Sequence, residues 1–251
     1  MFRRLWHTSR RQEPEDKTIL SPFAAYQLWA RTYDTTGGST VFFAERKVIT
    51  PLIGAHDLRQ KMVLDAGCGT GRNFSMLAES HPRLIVGTDF SPNMAEQSLT
   101  KVSDPRIHVV LAPVERLPFR DMTFDFLLST LVLGHILDLR AALCEMARVL
   151  VRGGSMIVST FHPFSDLLGW QRLFKVDRPG NESRWFAAQY HRHSHAEYFA
   201  AFRDARLELV HMEEPGIEPS LRPLYERADR LEVYNRYLGY PLLLVLEARK
   251  K

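Results

Sequence analysis

The sequence predicts an α/β fold in which buried parallel strands alternate with helices. The first observation is the stretch from Met62 to Asn73, where a short apolar run leads into a glycine-rich turn and then into a helix start. The second is a later apolar run, Arg83 to Phe90, which ends in an acidic residue before a Ser-Pro helix start. The third is that this alternation continues along the chain, as is typical of sheets covered by helices.

Length and composition are those of an ordinary globular protein. The 251 residues suffice for one large domain, or for one domain with a cap. Hydrophobic residues make up 45% and charged residues 25%, and no apolar run is long enough to cross a bilayer. Because Cys68 lies in the glycine turn and Cys144 in a predicted helix, no disulfide framework is expected, and a cytoplasmic location is favoured.

Residues 1–17 are predicted to be a basic, disordered tail. Four arginines cluster in its first dozen residues, and it lacks the apolar stretch of a secretory signal. Contact with nucleic acid or acidic lipid and an organelle address are alternatives, but a solvated terminus is favoured. The formal net charge of the whole chain is only +4, so a strongly basic binding surface is not expected.

Residues 18–57 are predicted to form an N-terminal helical lid. Aromatic residues recur in a helical stretch from Pro22 to about Asp34, and Thr35–Thr40 breaks it. A second helix is predicted from Val41 to Ile53. Most of these aromatic side chains are expected to pack their helix onto the sheet, but a helical segment before the first strand can also cover a ligand.

The glycine turn contains the first candidate binding residues. Gly67 and Gly69 lack the Cβ atoms that would keep a ligand away from the backbone N–H groups and the helix N-terminus. Arg72 occupies the position at which a dinucleotide-binding motif has its third glycine. Asp65 would repel a pyrophosphate, and it suits a ligand that presents a cation such as an ammonium. The alternative is a tight strand-to-helix turn with an incidental aspartate.

This D-x-G-x-G-x-G pattern resembles the first motif of the class I S-adenosylmethionine-dependent methyltransferases. In those enzymes the acidic residue and the glycine turn hold the methionine end of the cofactor. The resemblance therefore assigns Asp65, Gly67, Cys68 and Gly69 to the binding of S-adenosyl-L-methionine.

Two later segments resemble the type 11 methyltransferase domain of the ubiquinone/menaquinone enzymes. Residues Ala112–Phe119 are similar to its G-D-A-E-x-L-P-F segment, which contacts adenine, although alanine and proline replace the first two residues. Residues Phe124–His135 match its F-D-x-x-x-S-x-x-x-L-x-H pattern. The resemblance is strong from about Tyr26 to His162. In the rest of the chain it concerns only the topology.

The resemblance implies a Rossmann-like seven-stranded methyltransferase fold for residues 58–251. Its expected strand order is 3-2-1-4-5-7-6, with strand 7 antiparallel, and an acceptor-side insertion is expected at about 162–194. Asp89 ends the second strand, where one carboxylate can accept hydrogen bonds from both ribose hydroxyls. With Pro113 in place of the family's aspartate, adenine contacts would come from backbone and apolar groups. The remaining cofactor-binding candidates are Tyr33, in a W-A-x-x-Y-D segment like the lid helix of small-molecule methyltransferases, and Phe90, Met94, Val114, Glu115 and Ser129.

Methyl transfer from a sulfonium requires alignment, exclusion of water and, for some acceptors, a base. His135 and His162 follow the fourth and fifth strands, so they are the catalytic candidates and are expected to line the acceptor pocket. His191, His193 and His195 alternate and would face one side of an extended chain. No metal site is predicted, because no carboxylate or cysteine stands at ligand spacing; contact of one of them with the acceptor is favoured.

The predicted function is methylation of carbon or oxygen in a small, fairly apolar molecule. The segment Ser129–Val132 differs from the N/D-P-P-Y/F type used on planar nitrogens, and no RNA-binding pattern appears, so nucleic acid is not an expected partner. Two alternatives remain. One is a non-catalytic or partner-dependent subunit of the same fold, and the other is an NAD(P)-dependent oxidoreductase, which Asp65 and Arg72 disfavour.

Overall fold

The computed structural model describes residues 17–36, 39–164, 172–177 and 183–251. The strands among them are β1 (Lys17–Leu20), β2 (Met62–Ala66), β3 (Leu84–Asp89), β4 (Ile107–Leu111), β5 (Phe124–Thr130), β6 (Leu150–Phe161), β7 (Leu173–Asp177), β8 (Ser183–Ala188), β9 (Leu207–Glu213) and β10 (Leu243–Lys250).

The helices are α1 (Pro22–Trp29), α2 (Tyr33–Thr36), α3 (Ser39–Gly54), α4 (Phe74–Glu79), α5 (Pro92–Leu99), α6 (Leu139–Val149), α7 (His195–Asp204), α8 (Arg222–Arg227) and α9 (Leu231–Tyr237). Short 3₁₀ turns cover Ala30–Thr32, Leu133–His135 and Pro219–Leu221. No helix in the described part of the chain has the length and apolar character needed to span a membrane.

The central sheet has seven strands in the order β4-β3-β2-β5-β6-β10-β9. The first five in this order pair in parallel, and β10 is antiparallel to both β6 and β9. The predicted seven-stranded fold and its strand order are therefore confirmed. Because the parallel strands all end at one edge, the segments that follow β2, β3, β4, β5 and β6 meet there, and this edge carries the candidate site.

The sheet is buried on both faces, as expected for parallel strands. Successive residues of β5 show this, because Leu127 belongs to one core cluster while Phe126 and Leu128 belong to the other. Residues of α6 and α7 complete the first cluster, and residues of α3 and α4 complete the second. The two-sided core holds the ends of the central strands rigidly.

A second, three-stranded sheet has the order β1-β8-β7 and was not predicted from the sequence. Strand β1 is parallel to β8, and β7 is antiparallel to β8. Lys17, assigned to the tail by the sequence prediction, is instead the first residue of β1, whereas residues 1–16 lie outside the described residues. The segment predicted to be a helical lid therefore begins with a strand, and the insertion predicted at about 162–194 contains two more.

This second sheet packs against the lid helices. The ring of Trp29 stacks on that of Phe174 at 4.5 Å between centroids, and both side chains are fully buried. Tyr33, Met94 and Phe186 belong to the same apolar cluster. The lid and the insertion, which are far apart in the sequence, therefore form one layer over the carboxyl edge of the central sheet.

Candidate functional site

In the glycine turn after β2, Gly67 packs tightly against other residues, whereas Gly69 has open space around it. Gly67 has φ +77°, and a Cβ atom there would lie 2.3 Å from Cγ2 of Val132. The backbone N–H groups of Gly67 and Cys68 both donate to the carbonyl of Thr88 at 2.8 Å, which ties the turn to β3. Gly69 has φ +55°, but a Cβ atom there would have no neighbour within 4 Å. The turn can therefore be approached closely at Gly69.

Asp89 holds the glycine turn and the start of α5 together. Its Oδ2 accepts a hydrogen bond from the N–H of Gly69 at 2.9 Å, and its Oδ1 accepts one from the N–H of Ser91 at 2.8 Å. Burial raises the pKa of this carboxyl to about 6, against the effect of these hydrogen bonds. Each oxygen keeps a lone pair, so both can accept a further hydrogen bond. Ser91 caps the helix by accepting from the N–H of Met94.

Asp65 is a fully buried carboxylate whose two oxygens have no hydrogen-bond partner among the described residues. Burial raises its pKa to about 7; the cation of Arg72 and the nearby side-chain amide of Asn73 oppose the shift, and the carboxylates of Glu45 and Asp89 add to it. A buried polar group without a partner is costly, and a charged one more so. A ligand that brings an ammonium group beside Asp65 would satisfy these oxygens. This orphaned carboxylate therefore fits the amino group of S-adenosylmethionine.

A buried ion pair links the glycine turn to the lid. Arg72 donates to the carboxylate of Glu45 and, at 2.8 Å, to the hydroxyl of Thr130 on β5. Its guanidinium carbon lies 4.4 Å from the ring centroid of Phe42. Glu45, fully buried on α3, also accepts a hydrogen bond from the hydroxyl of Ser159 on β6. The sequence interpretation used Arg72 only to exclude a dinucleotide motif. It missed Glu45, because Glu45 lies on α3, outside the glycine-turn motif.

The segment that resembles the adenine-contacting motif begins beside Asp89. The N–H of Ala112 donates to the backbone carbonyl of Asp89 at 2.9 Å. Val114 points into the core, whereas Pro113 and Glu115 are exposed. Any contact with a ligand at this edge would therefore come from the backbone or from the two exposed side chains.

The other cofactor-binding candidates around the turn have structural partners. The side chain of Cys68 packs in the core, where burial raises the pKa of the thiol, so contact with a ligand would come from its backbone. The hydroxyl of Ser129 donates to the carbonyl of Ala66 at 2.8 Å and holds two strands together. Met94 packs under the lid, and the half-buried ring of Phe90 lies 5.9 Å from that of Phe23. Their predicted contacts with the cofactor remain predictions.

Gln27 fixes the lid to the start of α5. Its Oε1 accepts hydrogen bonds from the hydroxyl of Ser91 at 2.7 Å and from the N–H of Asn93 at 2.8 Å. Its backbone carbonyl accepts a third bond, from Nδ2 of Asn93 at 2.8 Å. Helix α1 is therefore held directly over the end of β3, next to Asp89.

Tyr26 and His135 form a hydrogen-bonded pair between the lid and the loop after β5. Nδ1 of His135 lies 2.8 Å from the carbonyl of Gln189, and Nε2 lies 2.8 Å from the hydroxyl of Tyr26. A carbonyl can only accept, so Nδ1 carries the proton and Nε2 accepts from the tyrosine. Burial lowers the pKa of His135 to about 4 and raises the pKa of Tyr26 above its ordinary range. Both side chains are therefore uncharged at neutral pH.

Arg172 is a buried cation surrounded by aromatic rings. Its Nη2 donates to the hydroxyl of Tyr33 at 3.1 Å. The guanidinium carbon lies between 5.1 and 5.6 Å from the ring centroids of Trp29, Tyr33, Phe42 and Phe161. Within the described ranges no carboxylate forms an ion pair with it. The sequence interpretation did not single out Arg172, because its partners come from three distant segments.

His162 and the three alternating histidines do not join this pair. His162 is buried and contacts Glu214 and His195 instead of Tyr26. Residues 191–194 form no strand and His195 begins α7, where its Nε2 lies 2.9 Å from Oε1 of Glu214. A shared side for His191, His193 and His195 remains a prediction. Nε2 of His193 donates to the carbonyl of Ile136 at 2.8 Å. A catalytic role for His162 remains a prediction.

The family-model match includes the glycine turn. Residues 64–158 match the family model described as a methyltransferase domain. The ubiquinone/menaquinone biosynthesis C-methyltransferase of Geobacter sp. (strain M21) is 35% identical over 140 residues, which cover 51% of this chain and 60% of that relative. An O-methyltransferase of Penicillium expansum is 30% identical over 138 residues, which cover 52% of this chain and 48% of that relative.

The chain thus spans about half to three fifths of the length of these curated relatives. Among solved structures, an S-adenosylmethionine-dependent methyltransferase from Mesorhizobium loti superposes with a TM-score of 0.60 at 19% identity, covering 80% of this chain and 96% of that one. At that identity the superposition supports the fold.

Proposed function

We propose that the protein is an S-adenosylmethionine-dependent methyltransferase, because residues 64–158 match a methyltransferase-domain model and a C-methyltransferase is 35% identical over 140 residues. The proposed acceptor is a carbon or oxygen of a small, largely apolar molecule. The observation that carries the proposal is the buried carboxylate of Asp65, whose oxygens have no hydrogen-bond partner of ordinary geometry among the described residues, in the same turn as the open position at Gly69. A dinucleotide would bring a pyrophosphate to this turn, which Asp65 disfavours, and the matching relatives do not favour a non-catalytic subunit.

The cofactor supplies an activated methyl group on a sulfonium, so the protein's task is to bind, orient and exclude water. In the proposed arrangement Asp65 accepts hydrogen bonds from the amino group, and the backbone at Gly67, Cys68 and Gly69 lies against the methionine end. Asp89 accepts from the ribose hydroxyls with its remaining lone pairs. Residues 112–115 contact the adenine, and the lid residue Tyr33 covers the methionine end.

The lid excludes water from the transfer site. Trp29 is almost fully buried, and the rings of Tyr26 and Tyr33 pack against it at 6.1 and 5.0 Å between centroids. Arg172 lies within this aromatic layer. No carboxylate among the described residues forms an ion pair with this buried cation, which favours an acceptor that carries negative charge, such as a carboxylate, a phenolate or an enolate oxygen. The proposed acceptor is therefore apolar in body with one anionic or strongly polarised oxygen.

The pair formed by Tyr26 and His135 can remove a proton from the acceptor. The hydroxyl of Tyr26 donates to Nε2 of His135, so the tyrosine oxygen is free to accept a hydrogen bond from an acceptor hydroxyl or enol. Because burial lowers the pKa of His135 to about 4, the pair would act mainly by orienting the acceptor oxygen, and it would take up the acceptor's proton through Tyr26 only as that proton becomes acidic during methyl transfer. His135 acts through Tyr26 in this scheme, and His162 lines the acceptor side.

The partners and location follow the same reasoning. A small-molecule acceptor is proposed, and a nucleic-acid partner is not. The two cysteines are free thiols, Cys68 buried and Cys144 half-buried, which favours a cytoplasmic protein.

Binding of S-adenosylhomocysteine by calorimetry tests the proposal. Asp65→Asn keeps the side-chain shape and removes the charge, and it is expected to weaken binding about 10- to 100-fold, since hydrogen bonds to charged groups contribute about 1.5–3 kcal/mol. Asp57→Asn is the matched control, because that exposed carboxylate pairs only locally, with Arg59. Tight binding of NAD without binding of S-adenosylhomocysteine would overturn the proposal.

A further inference from the structure

A cluster of two histidines and a glutamate includes His162 but is separate from the Tyr26–His135 pair and from the glycine turn. His162 follows β6, His195 is the first residue of α7, and Glu214 follows β9. One ligand atom from each side chain lies within 4.8 Å of the other two. Nε2 of His162 and Nε2 of His195 each lie 2.9 Å from Oε1 of Glu214. Three separate segments therefore direct metal-binding atoms at one point.

The spacing of these atoms is close to that of a zinc site. With metal–ligand distances of about 2.0–2.2 Å, tetrahedral geometry separates neighbouring ligand atoms by roughly 3.3–3.6 Å. The two nitrogen-to-oxygen separations are a few tenths of an ångström shorter, because N–H groups now donate directly to the carboxylate. Small rotations of the exposed side chains of His195 and Glu214 would make room for an ion.

We propose that His162, His195 and Glu214 bind one divalent transition-metal ion of the zinc type. Two imidazole nitrogens and one carboxylate oxygen suit zinc, whereas magnesium and calcium prefer all-oxygen sites. The side chain of His162 is 8% exposed, and those of His195 and Glu214 are 35% and 41% exposed. The site is therefore anchored on one side and open to solvent on the other, so its fourth position accepts water or an oxygen of a ligand.

Metal binding requires a change of tautomer at His162. Nδ1 of His162 accepts a hydrogen bond from the N–H of Phe164 at 3.1 Å, so Nε2 carries the ring proton when it donates to Glu214. Ligation through Nε2 moves this proton to Nδ1, and the N–H of Phe164 must then turn away. The bound and metal-free proteins therefore differ in the backbone just after His162.

The position of the cluster connects it to the aromatic layer. Phe161 directly precedes His162, and its ring lies 5.6 Å from the guanidinium carbon of Arg172 and 5.9 Å from the ring of Tyr190. An ion at this cluster would fix the end of β6 against the start of α7. The test of the metal site measures metal binding by three side chains, so its failure can be distinguished from a failure of the proposed methyl transfer.

Titration of chelator-treated, full-length protein with zinc chloride by calorimetry tests the site. The wild type is expected to bind one zinc ion per chain with high affinity. His195→Ala and Glu214→Gln each remove one ligand from an exposed position, and each is expected to weaken binding at least about 100-fold, more than loss of an outer-sphere partner. Both substitutions spare the buried His162, so folding is expected to persist and is checked by circular dichroism.

The matched controls are His211→Ala and Glu213→Gln. These residues form a neighbouring exposed pair with the same 2.9 Å spacing, and no third ligand joins them in the described part of the chain. Their substitution is expected to leave zinc affinity unchanged. Cobalt(II) supplies a second readout, because a tetrahedral site with nitrogen and oxygen ligands gives visible absorption bands that His195→Ala should abolish. Equal zinc affinity in the wild type, His195→Ala and Glu214→Gln, or equal loss in the controls, would overturn the proposal.

Discussion

The cofactor side and the acceptor side of the proposed site are assembled in different ways. On the cofactor side, Asp65, Gly69 and Asp89 lie within 25 residues of one another, and each contact spans one strand-turn-helix unit or two neighbouring strands. On the acceptor side, Tyr26 meets His135 and Tyr33 meets Arg172 across 109 and 139 residues of sequence. A local motif therefore specifies the cofactor side, whereas packing between the lid and the second sheet creates the acceptor side.

The buried ion pair between Arg72 and Glu45 joins these two sides, so its loss should have the largest effect on the free energy of unfolding. Glu45→Gln leaves a largely buried guanidinium without its carboxylate and is expected to lower the free energy of unfolding by about 3–5 kcal/mol. Urea denaturation provides the measurement. The control on the same helix is the exposed pair Lys47–Glu218, where Glu218→Gln should cost less than about 1 kcal/mol. Equal costs would mean that the lid and the turn are not coupled through Glu45.

Substitutions at two glycines of the same turn test whether each glycine is needed for stability or for ligand binding. Gly67→Ala forces a methyl group into Val132 and is expected to destabilise the protein by about 2–3 kcal/mol. Gly69→Ala also has a positive φ but meets open space, so about 1 kcal/mol is expected. Calorimetry should nevertheless show weaker binding of S-adenosylhomocysteine to Gly69→Ala. Full affinity in that variant would remove Gly69 from the binding surface.

The pKa of Asp65, raised to about 7, predicts opposite pH dependences for stability and for binding. A raised folded-state pKa means that the native state binds the proton more tightly than the unfolded state, so stability without ligand falls as pH rises from about 4 to 7. An ammonium ligand needs the ionised carboxylate, so affinity for S-adenosylhomocysteine should rise about tenfold between pH 6 and pH 7.5.

Asp65→Asn should flatten both of these pH profiles. Calorimetry at several pH values and urea denaturation over the same range measure them. The carboxyl of Asp89, with a pKa raised to about 6, adds a weaker dependence at lower pH that persists in the variant. A binding profile that keeps its full slope around pH 7 in Asp65→Asn would assign the dependence to another group.

The smallest expected effect tests the long-range contact on the acceptor side. Tyr26→Phe removes the hydroxyl that donates to Nε2 of His135 and is expected to cost about 1 kcal/mol of stability. The pKa of His135, now about 4, should rise, because the free nitrogen lone pair can bind a proton or water more readily. Nuclear magnetic resonance titration of the imidazole signals measures this, with the exposed His211 as internal reference. An unmoved His135 signal would show that the pair is not formed in solution.

Much of the central fold could be predicted from local sequence patterns. Apolar runs before Asp65 and Asp89 specified two buried strands, and Ser91-Pro92 specified the helix that Ser91 caps. The order of the seven strands came from the resemblance to a family and is confirmed. Strands β1, β7 and β8 were missed because they form a separate sheet in which the parallel partner of β1 lies more than 160 residues away.

The sequence by itself determined the cofactor side, since alternate glycines, a preceding aspartate and an acidic strand end act within one continuous segment. Only the tertiary structure decided the acceptor side. It brought Glu45 to Arg72, surrounded Arg172 with aromatic rings, and placed His195 beside Glu214 instead of beside His193. The physical reason is that hydrogen bonds, ion pairs and metal ligands act over a few ångströms in space. No spacing in the chain encodes which distant side chains come within that range.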